Sequence, residues 1–427
     1  MRGRRVCRRA LALVCAAAVA IGVSACAPDR IADLGAPPQV DAKLADATRT
    51  ELEKAVTDAM AATGSSGAIV GVWVPWSGTW VTGLGTQKPG GGAPVAADMT
   101  FRVGDVTRAM VCDALYRAAA HGEVELDDSV TAYVSGVPDL KSVTLLQLCD
   151  GTSGIGSYQG QIQPMWLTNP ARVWDPRELA SFGLGLGMTS EPGAAYRDSD
   201  AGYVLLGLAL TRATGKSASE LLADDVFRPL GLDSTSLPDG DGQWASGRTA
   251  LQGGMSLPGA GGALDCAAPA SMTGLSTSTG YTDSGVVSTI GDLGRYTQAL
   301  AVGALTRGEE VAKNRWANPL APSPKSVQWF TTTGGAYQAG SLIGQYGAVP
   351  GYLTAAFADP KTGLTVAVVL NNSAAGASVV AYLAWELAAI ASKAPAAAGQ
   401  KAPEFGLPWT AEQYHTAIQS AAVCSAS

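Results

Sequence analysis

Three acidic side chains and one arginine have a spacing that could carry chemistry. Asp105 and Arg108 are three positions apart, which on a helix puts them on one face. Asp198-Ser199-Asp200 offers a second pair of carboxylates. Carboxylates in that number can ligate a cation, exchange protons or attack as nucleophiles. The Asp-x-Asp spacing matches the start of a calcium loop, but Gly202 fills its fifth place and Ala209 its twelfth, where a bidentate glutamate belongs. Calcium is therefore not expected. A nucleophilic Asp105 would lack a base, because the guanidinium of Arg108, with a pKa above about 12, accepts no proton. Arg108 would instead hold Asp105 ionised and paired, and Asp105 itself reads as a helix N-cap.

Other chemistries have even less material. The only histidines are His121, at a helix end before Gly122, and His415, near the C-terminus, so both read as solvent-side residues and no Ser-His-Asp triad is expected. Gly90-Gly91-Gly92 has no helix with Lys-Ser/Thr after it and reads as a loop, not a phosphate cradle. Of seven cysteines, Cys112, Cys149, Cys266 and Cys424 lie beyond the N-terminal region. No C-x-x-C spacing occurs, so disulfides are expected rather than a metal, with three pairings open on sequence alone. No cofactor is expected.

The elements that must position these residues follow from periodicity. A helix is expected over 48–62, then a hairpin of 68–74 and 79–84 around the Pro75–Gly78 turn. Asp105 to His121 is expected to be helical, with Val106, Met110, Ala114 and Ala118 on one face. Further helices are expected at 144–150, 176–182, 201–214, 217–226, 291–302, 376–392 and 410–422. Strands are expected near 328–332, 335–341, 352–358 and 364–370. Two strands, a helical insert and a return to strands predict an α/β fold: an antiparallel sheet flanked by helices, interrupted by an all-α lobe.

The composition, 47% hydrophobic and 15% charged over 427 residues, supports a globular protein. Five arginines (Arg2, Arg4, Arg5, Arg8, Arg9) precede the apolar stretch Ala10–Val23, and the pattern reads as a secretory signal. Val23-Ser24-Ala25-Cys26 is similar to the lipobox of bacterial lipoproteins. That likeness implies acylation of Cys26 and a lipid anchor on the extracytoplasmic face of the bacterial cell membrane. Beyond residue 25, 24 basic side chains face 36 acidic ones, a charge of −12, so no nucleic-acid partner is expected.

A family resemblance rests on eight ordered segments: Thr100–Arg108, Gly122–Asp128, Gly151-Thr-Ser-Gly154, Pro192-Gly193, Tyr203–Gly207, Pro229–Leu232, Asp283–Thr289 and Val349-Pro-Gly351. Their order and spacing resemble the serine β-lactamase-like family, which includes class C β-lactamases, D-Ala-D-Ala carboxypeptidases and related esterases. The resemblance implies a β-lactamase/transpeptidase-like fold. Together with the N-terminal pattern and the local composition, it predicts a division into 1–25 signal peptide, 26–47 tether, 48–104 and 283–395 α/β sandwich lobe, 105–232 all-α lobe, 233–282 irregular insertion and 396–427 C-terminal tail.

The resemblance also places the family's reactive positions, and here the chain departs from the pattern. Asp105 and Arg108 stand where the family has serine and lysine, and none of the ten lysines has a serine three places before it. Asp198 and Asp200 replace the Tyr/Ser and Asn of the second motif. Gln345-Tyr346-Gly347 stands in the place of the third, leaving no cation for a substrate carboxylate, and Gly151 stands where relatives commonly show histidine. Lys361-Thr362-Gly363 spells the third motif literally but follows Asp359-Pro360 and reads as a hairpin turn. The family fold implies that Arg108 is held by Asp105 and at least one of Asp198 and Asp200, in a net negative cleft that favours neutral or cationic ligands. It implies a Cys112–Cys149 disulfide, since the two helices concerned pack together in relatives, leaving Cys266 for Cys424. The expected function is a degenerate surface lipoprotein that binds a cell-wall fragment or a protein partner. An active hydrolase with altered residues and a structural role with a vestigial cleft are the alternatives.

Overall fold

Thr48, Leu52, Ala55, Val56 and Ala59 recur at helical spacing and bury one side of α1 (Asp46–Thr63), which closes on Gly64 in the left-handed conformation (φ 68°). The computed structural model describes residues 31–240 and 249–424. The signal segment and Cys26 lie outside the described residues, as does 241–248 within the expected irregular insertion.

After α1 come the hairpin β1 (Gly67–Val74) and β2 (Gly78–Lys88) and the short β3 (Gly91–Pro94), and β4 (Phe101–Arg102) leads into α2 (Val106–Ala120). A helical lobe follows, with α3 (Leu145–Cys149), α4 (Gln159–Thr168), α5 (Pro176–Leu184), α6 (Asp200–Thr214), α7 (Ala218–Leu222) and the one-turn α8 (Arg228–Leu230). The irregular stretch carries β5 (Gly254–Met255) paired with β6 (Ala270–Ser271). Then α9 (Tyr281–Ser284), β7 (Val287–Ser288), paired with β4, and α10 (Ile290–Ala301) bring the chain back. It closes with β8 (Phe330–Thr333), β9 (Ala336–Ala339), β10 (Leu342–Val349), β11 (Tyr352–Ala358), β12 (Thr365–Leu370), α11 (Ala377–Ala391) and α12 (Ala411–Ser420).

The main sheet runs β3-β2-β1-β12-β11-β10-β9-β8 and is antiparallel throughout. Pairing of β1 with β12, Ala68 opposite Leu370, joins the two ends of the fold at the sheet centre. Alternation along the strands gives each face its own core. Ala68, Val70, Val72 and Val74 share one core with α1, α11 and Leu353, while Ile69, Ala367 and Val369 share the other with α2, α10 and the helical lobe.

Several local expectations need correction. The strand expected at 335–341 is β9, but a further, unexpected strand, β10, folds back on it after Gly340 (φ 59°), so Gln345 and Gly347 stand inside a strand. Helix α4 escaped periodicity because Gly160 and Pro164 interrupt it. Gly91 and Gly92 belong to β3 rather than to a loop. His415 is not a solvent-side residue: it is 29% exposed, and its Nδ1 lies 3.1 Å from Oε1 of the buried Glu386. The tail packs on the body, with Trp409, Tyr414 and Ile418 buried and Trp409 Nε1 donating to the Trp385 carbonyl at 2.9 Å. Residues 31–44 lie along the body, with Leu34 and Leu44 buried and Ala32 N donating to Pro229 O at 2.7 Å.

Candidate functional site

The start of α2 delivers Arg108 beneath the point where the helical lobe meets the sheet. Its side chain is 4% exposed, and each nitrogen is used. Nε donates to Asp283 Oδ1 at 2.8 Å, Nη1 to Asp198 Oδ1 at 2.5 Å and Nη2 to Asp200 Oδ1 at 2.9 Å. Asp105 Oδ2 is 4.0 Å from Nη1, and the guanidinium carbon lies 4.8 Å from the centre of the Tyr203 ring. The structure thus brings Asp105, Arg108, Asp198 and Asp200 together and adds Asp283. That fourth acid was missed because it stands 175 positions from Arg108 with no spacing signal; it was visible only as the first residue of the Asp283–Thr289 segment.

Local geometry explains how each acid is aimed. Ser199 caps α6 through Gly202 N, placing Asp200 in the first turn, where Asp200 Oδ2 also accepts from Gln159 N at 3.0 Å. Asp283 lies in α9, two residues after Tyr281, whose φ of 42° is a left-handed conformation that a tyrosine seldom adopts. Asp105 occupies the N-cap place of α2 but makes no side-chain cap bond, contrary to the N-cap reading. Its side chain turns instead toward β10, where a β-carbon on Gly347 would fall 2.3 Å from the Asp105 carboxyl carbon. Gly347 is therefore the space that Asp105 fills.

Four acids around one guanidinium cannot all stay ionised in a buried site. Burial, opposed by Arg108 and reinforced by Asp283, Asp198 and Asp200, lifts the Asp105 carboxyl well above the usual carboxylate range. Burial and the charges of Asp283 and Asp198 push Asp200 up to about 7. Burial raises Asp283 as well, again against Arg108. For Arg108, burial acts against the charge, but the four carboxylates override it and hold the guanidinium protonated. Asp105 is therefore not the ionised partner that the sequence predicts, because burial outweighs Arg108, and the centre has no neutral amine to take a proton from a hydroxyl.

Gly151 (φ 66°) lies under Tyr196, where a β-carbon would be 2.5 Å from the ring, and Tyr196 Oη meets Tyr337 Oη at 2.9 Å across the lobes. Gly334 N donates to Asp150 Oδ1 at 2.6 Å. Gln345 is buried; its Nε2 donates to Gly335 O at 2.9 Å and its Oε1 accepts from Tyr346 N at 2.8 Å, and it carries no charge to hold a ligand carboxylate. Lys361 and Thr362 sit in the β11–β12 turn, tied to Asp359 through their backbone N–H groups. Among the described residues, no group of His, Cys, Asp and Glu could hold a metal ion. Cys112 is bonded to Cys149, with Cα atoms 5.5 Å apart, and Cys266 to Cys424, at 6.0 Å.

A family profile described as Beta-lactamase matches residues 52–389. The chain belongs to that family. Residues 52–389 take in most of α1, the sheet, the helical lobe and nearly all of α11, so the match covers the frame that carries the ion cluster. Its sequence is 28% identical over 165 residues to the D-alanyl-D-alanine-carboxypeptidase/endopeptidase AmpH of Escherichia coli K12. That match covers 37% of this chain and 42% of the relative, so the chain spans under half of the relative's length. A D-stereospecific amidohydrolase from Streptomyces sp. superposes with a TM-score of 0.65 at 23% identity, over 76% of this chain and 94% of that one. The D-amino acid amidase of Ochrobactrum anthropi SV3, complexed with L-phenylalanine amide, gives 0.65 at 21% identity, over 77% and 92%. Both likenesses confirm the fold.

Proposed function

We propose that this β-lactamase-family chain is a non-acylating surface lipoprotein, held on the extracytoplasmic face of the bacterial membrane through Cys26, which binds a cell-wall fragment or a protein partner at its cleft. The observation that carries the reading is Arg108, which fills the place of a proton-accepting amine and is locked by Asp105, Asp198, Asp200 and Asp283. An arginine cannot act as the base that acyl transfer needs. The open acid Asp198 favours a ligand with an amine over one with a carboxylate, because like charges repel. Asp198, 58% exposed on its side chain, is the acid such a ligand would meet first.

Intact-mass spectrometry after incubation with a penicillin tests the reading. An unchanged mass is expected. Stoichiometric acylation would instead support the second reading, an active hydrolase with altered residues, which the names of the relatives favour: a carboxypeptidase/endopeptidase, an amidohydrolase and an amidase.

A further inference from the structure

Strand β10 presents different residues on its two faces. Gln345 and Gly347 face α2 and the ion cluster, while Tyr346 between them faces α11 and α12. On that second side, at the β8 edge of the sheet, lies a cavity of about 330 Å³ that shares no residue with the cluster. Six aromatic side chains build it: Trp329, Phe330, Tyr346, Tyr382, Trp385 and Tyr414. The chain has 28 aromatic residues in all, so this is a concentration, not a scatter. Trp385 and Tyr414 are buried and form the floor, while Trp329, Phe330, Tyr346 and Tyr382 remain partly open.

The rings brace one another at fixed angles. Trp385 stands 5.0 Å from Tyr414 and 5.0 Å from Phe330, both edge to face, and Tyr382 is 5.4 Å from Tyr414. Next to the two floor residues, Glu386 and His415 tie α11 to α12, so the walls are held in place before any ligand arrives. The rim is polar and without acid: Ser323, Lys325, Ser326, Ser378 and Gln413, with no carboxylate lining the cavity among the described residues.

From this arrangement we infer a second binding site, for a pyranose ring of a glycan. Its flat C–H face stacks on the open faces of the aromatic rings, and its hydroxyls meet the hydroxyl, amide and ammonium groups of the rim. The same wall chemistry argues against the other ligand classes. A quaternary ammonium would profit from the ring faces, but Lys325 repels it and no carboxylate compensates. An acyl chain would cover the rim's polar groups without pairing them.

The test is titration of the mature protein with a β-1,4-linked glucose oligomer and an N-acetylglucosamine oligomer, followed by tryptophan emission and calorimetry. Saturable binding of at least one oligomer is expected, weakened at least tenfold in Tyr382→Ala and in the rim variant Lys325→Ala/Gln413→Ala. Near-ultraviolet circular dichroism checks that Tyr382→Ala is folded, and the rim variant removes only exposed groups. The inference is overturned if neither oligomer binds at millimolar concentration, if binding survives both variants unchanged, or if only choline or decanoate binds.

Discussion

Asp283 Oδ1 accepts the Nε proton of Arg108 at 2.8 Å, and this bond joins the returning segment before α10 to the first turn of α2. With Asp198 and Asp200 on the other two nitrogens, one guanidinium ties together three stretches of chain that are remote in sequence. The cluster is therefore a structural joint.

Removing the joint should be costly. Arg108→Ala leaves buried acids without their cation, and breaking a buried ion pair in this way costs roughly 3–5 kcal/mol. A clearly lowered thermal midpoint is expected for Arg108→Ala, and a smaller loss for the triple variant Asp105→Asn, Asp198→Asn, Asp200→Asn. An Arg108→Ala midpoint equal to that of the parent would show that the cluster holds nothing together.

Stability should fall as pH rises toward neutrality. Burial, with Asp283 and Asp198 beside it, lifts Asp200 to about 7, so the folded protein keeps a proton that the unfolded chain releases near about 3.9. A group raised in this way contributes stability below its ordinary pKa, and the contribution is lost as pH climbs through about 7. Glu386, raised to about 7 by burial against the pull of His415, acts with the same sign. Urea unfolding at pH 5 and pH 8 should show the parent more stable at pH 5, with the difference reduced in Asp200→Asn and again in Asp200→Asn/Glu386→Gln. A parent equally stable at both values would contradict the raised acids.

Gly347→Ala should destabilise through one neighbour. Its new methyl would meet the Asp105 carboxyl at 2.3 Å, and overpacking of this kind costs about 1–3 kcal/mol. In Asp105→Gly, which removes the Asp105 β-carbon that lies 2.3 Å from the new methyl along with the carboxyl, the same substitution should be far milder, so a double-mutant cycle by chemical denaturation should give a favourable coupling. Additive losses would place the strain elsewhere.

Membrane attachment should depend on one atom of sulfur. Among the described residues no helix is long and apolar enough to cross a membrane, and the Val23-Ser24-Ala25-Cys26 junction motivates a lipid anchor at Cys26. Cys26→Ala should move the protein from the membrane fraction to the soluble fraction of lysed cells. Retention through detergent-free washing would require another means of attachment.

Sequence alone determined the local elements whose signals are local. The apolar faces of α1 and α2, the β1–β2 hairpin and the β11–β12 turn at Lys361–Gly363 follow from period, glycine and proline, because each is fixed by neighbours within a few residues. Ordered segments such as Gly151–Gly154 and Pro192-Gly193 identified the family, since glycines at fixed places reflect backbone shapes that the fold requires. Sequence also established that none of the ten lysines has a serine three places before it. Only the tertiary structure decided what surrounds Asp105 and Arg108. That Asp283 completes the cluster, that Asp105 turns from the helix end to the space left by Gly347, and that six rings from β8, β10, α11, α12 and the segment before β8 enclose one cavity are all contacts between residues far apart in the chain. No periodicity encodes such contacts: they arise when the sheet and the helical lobe pack, and the same packing removes water and shifts the protons of the acids.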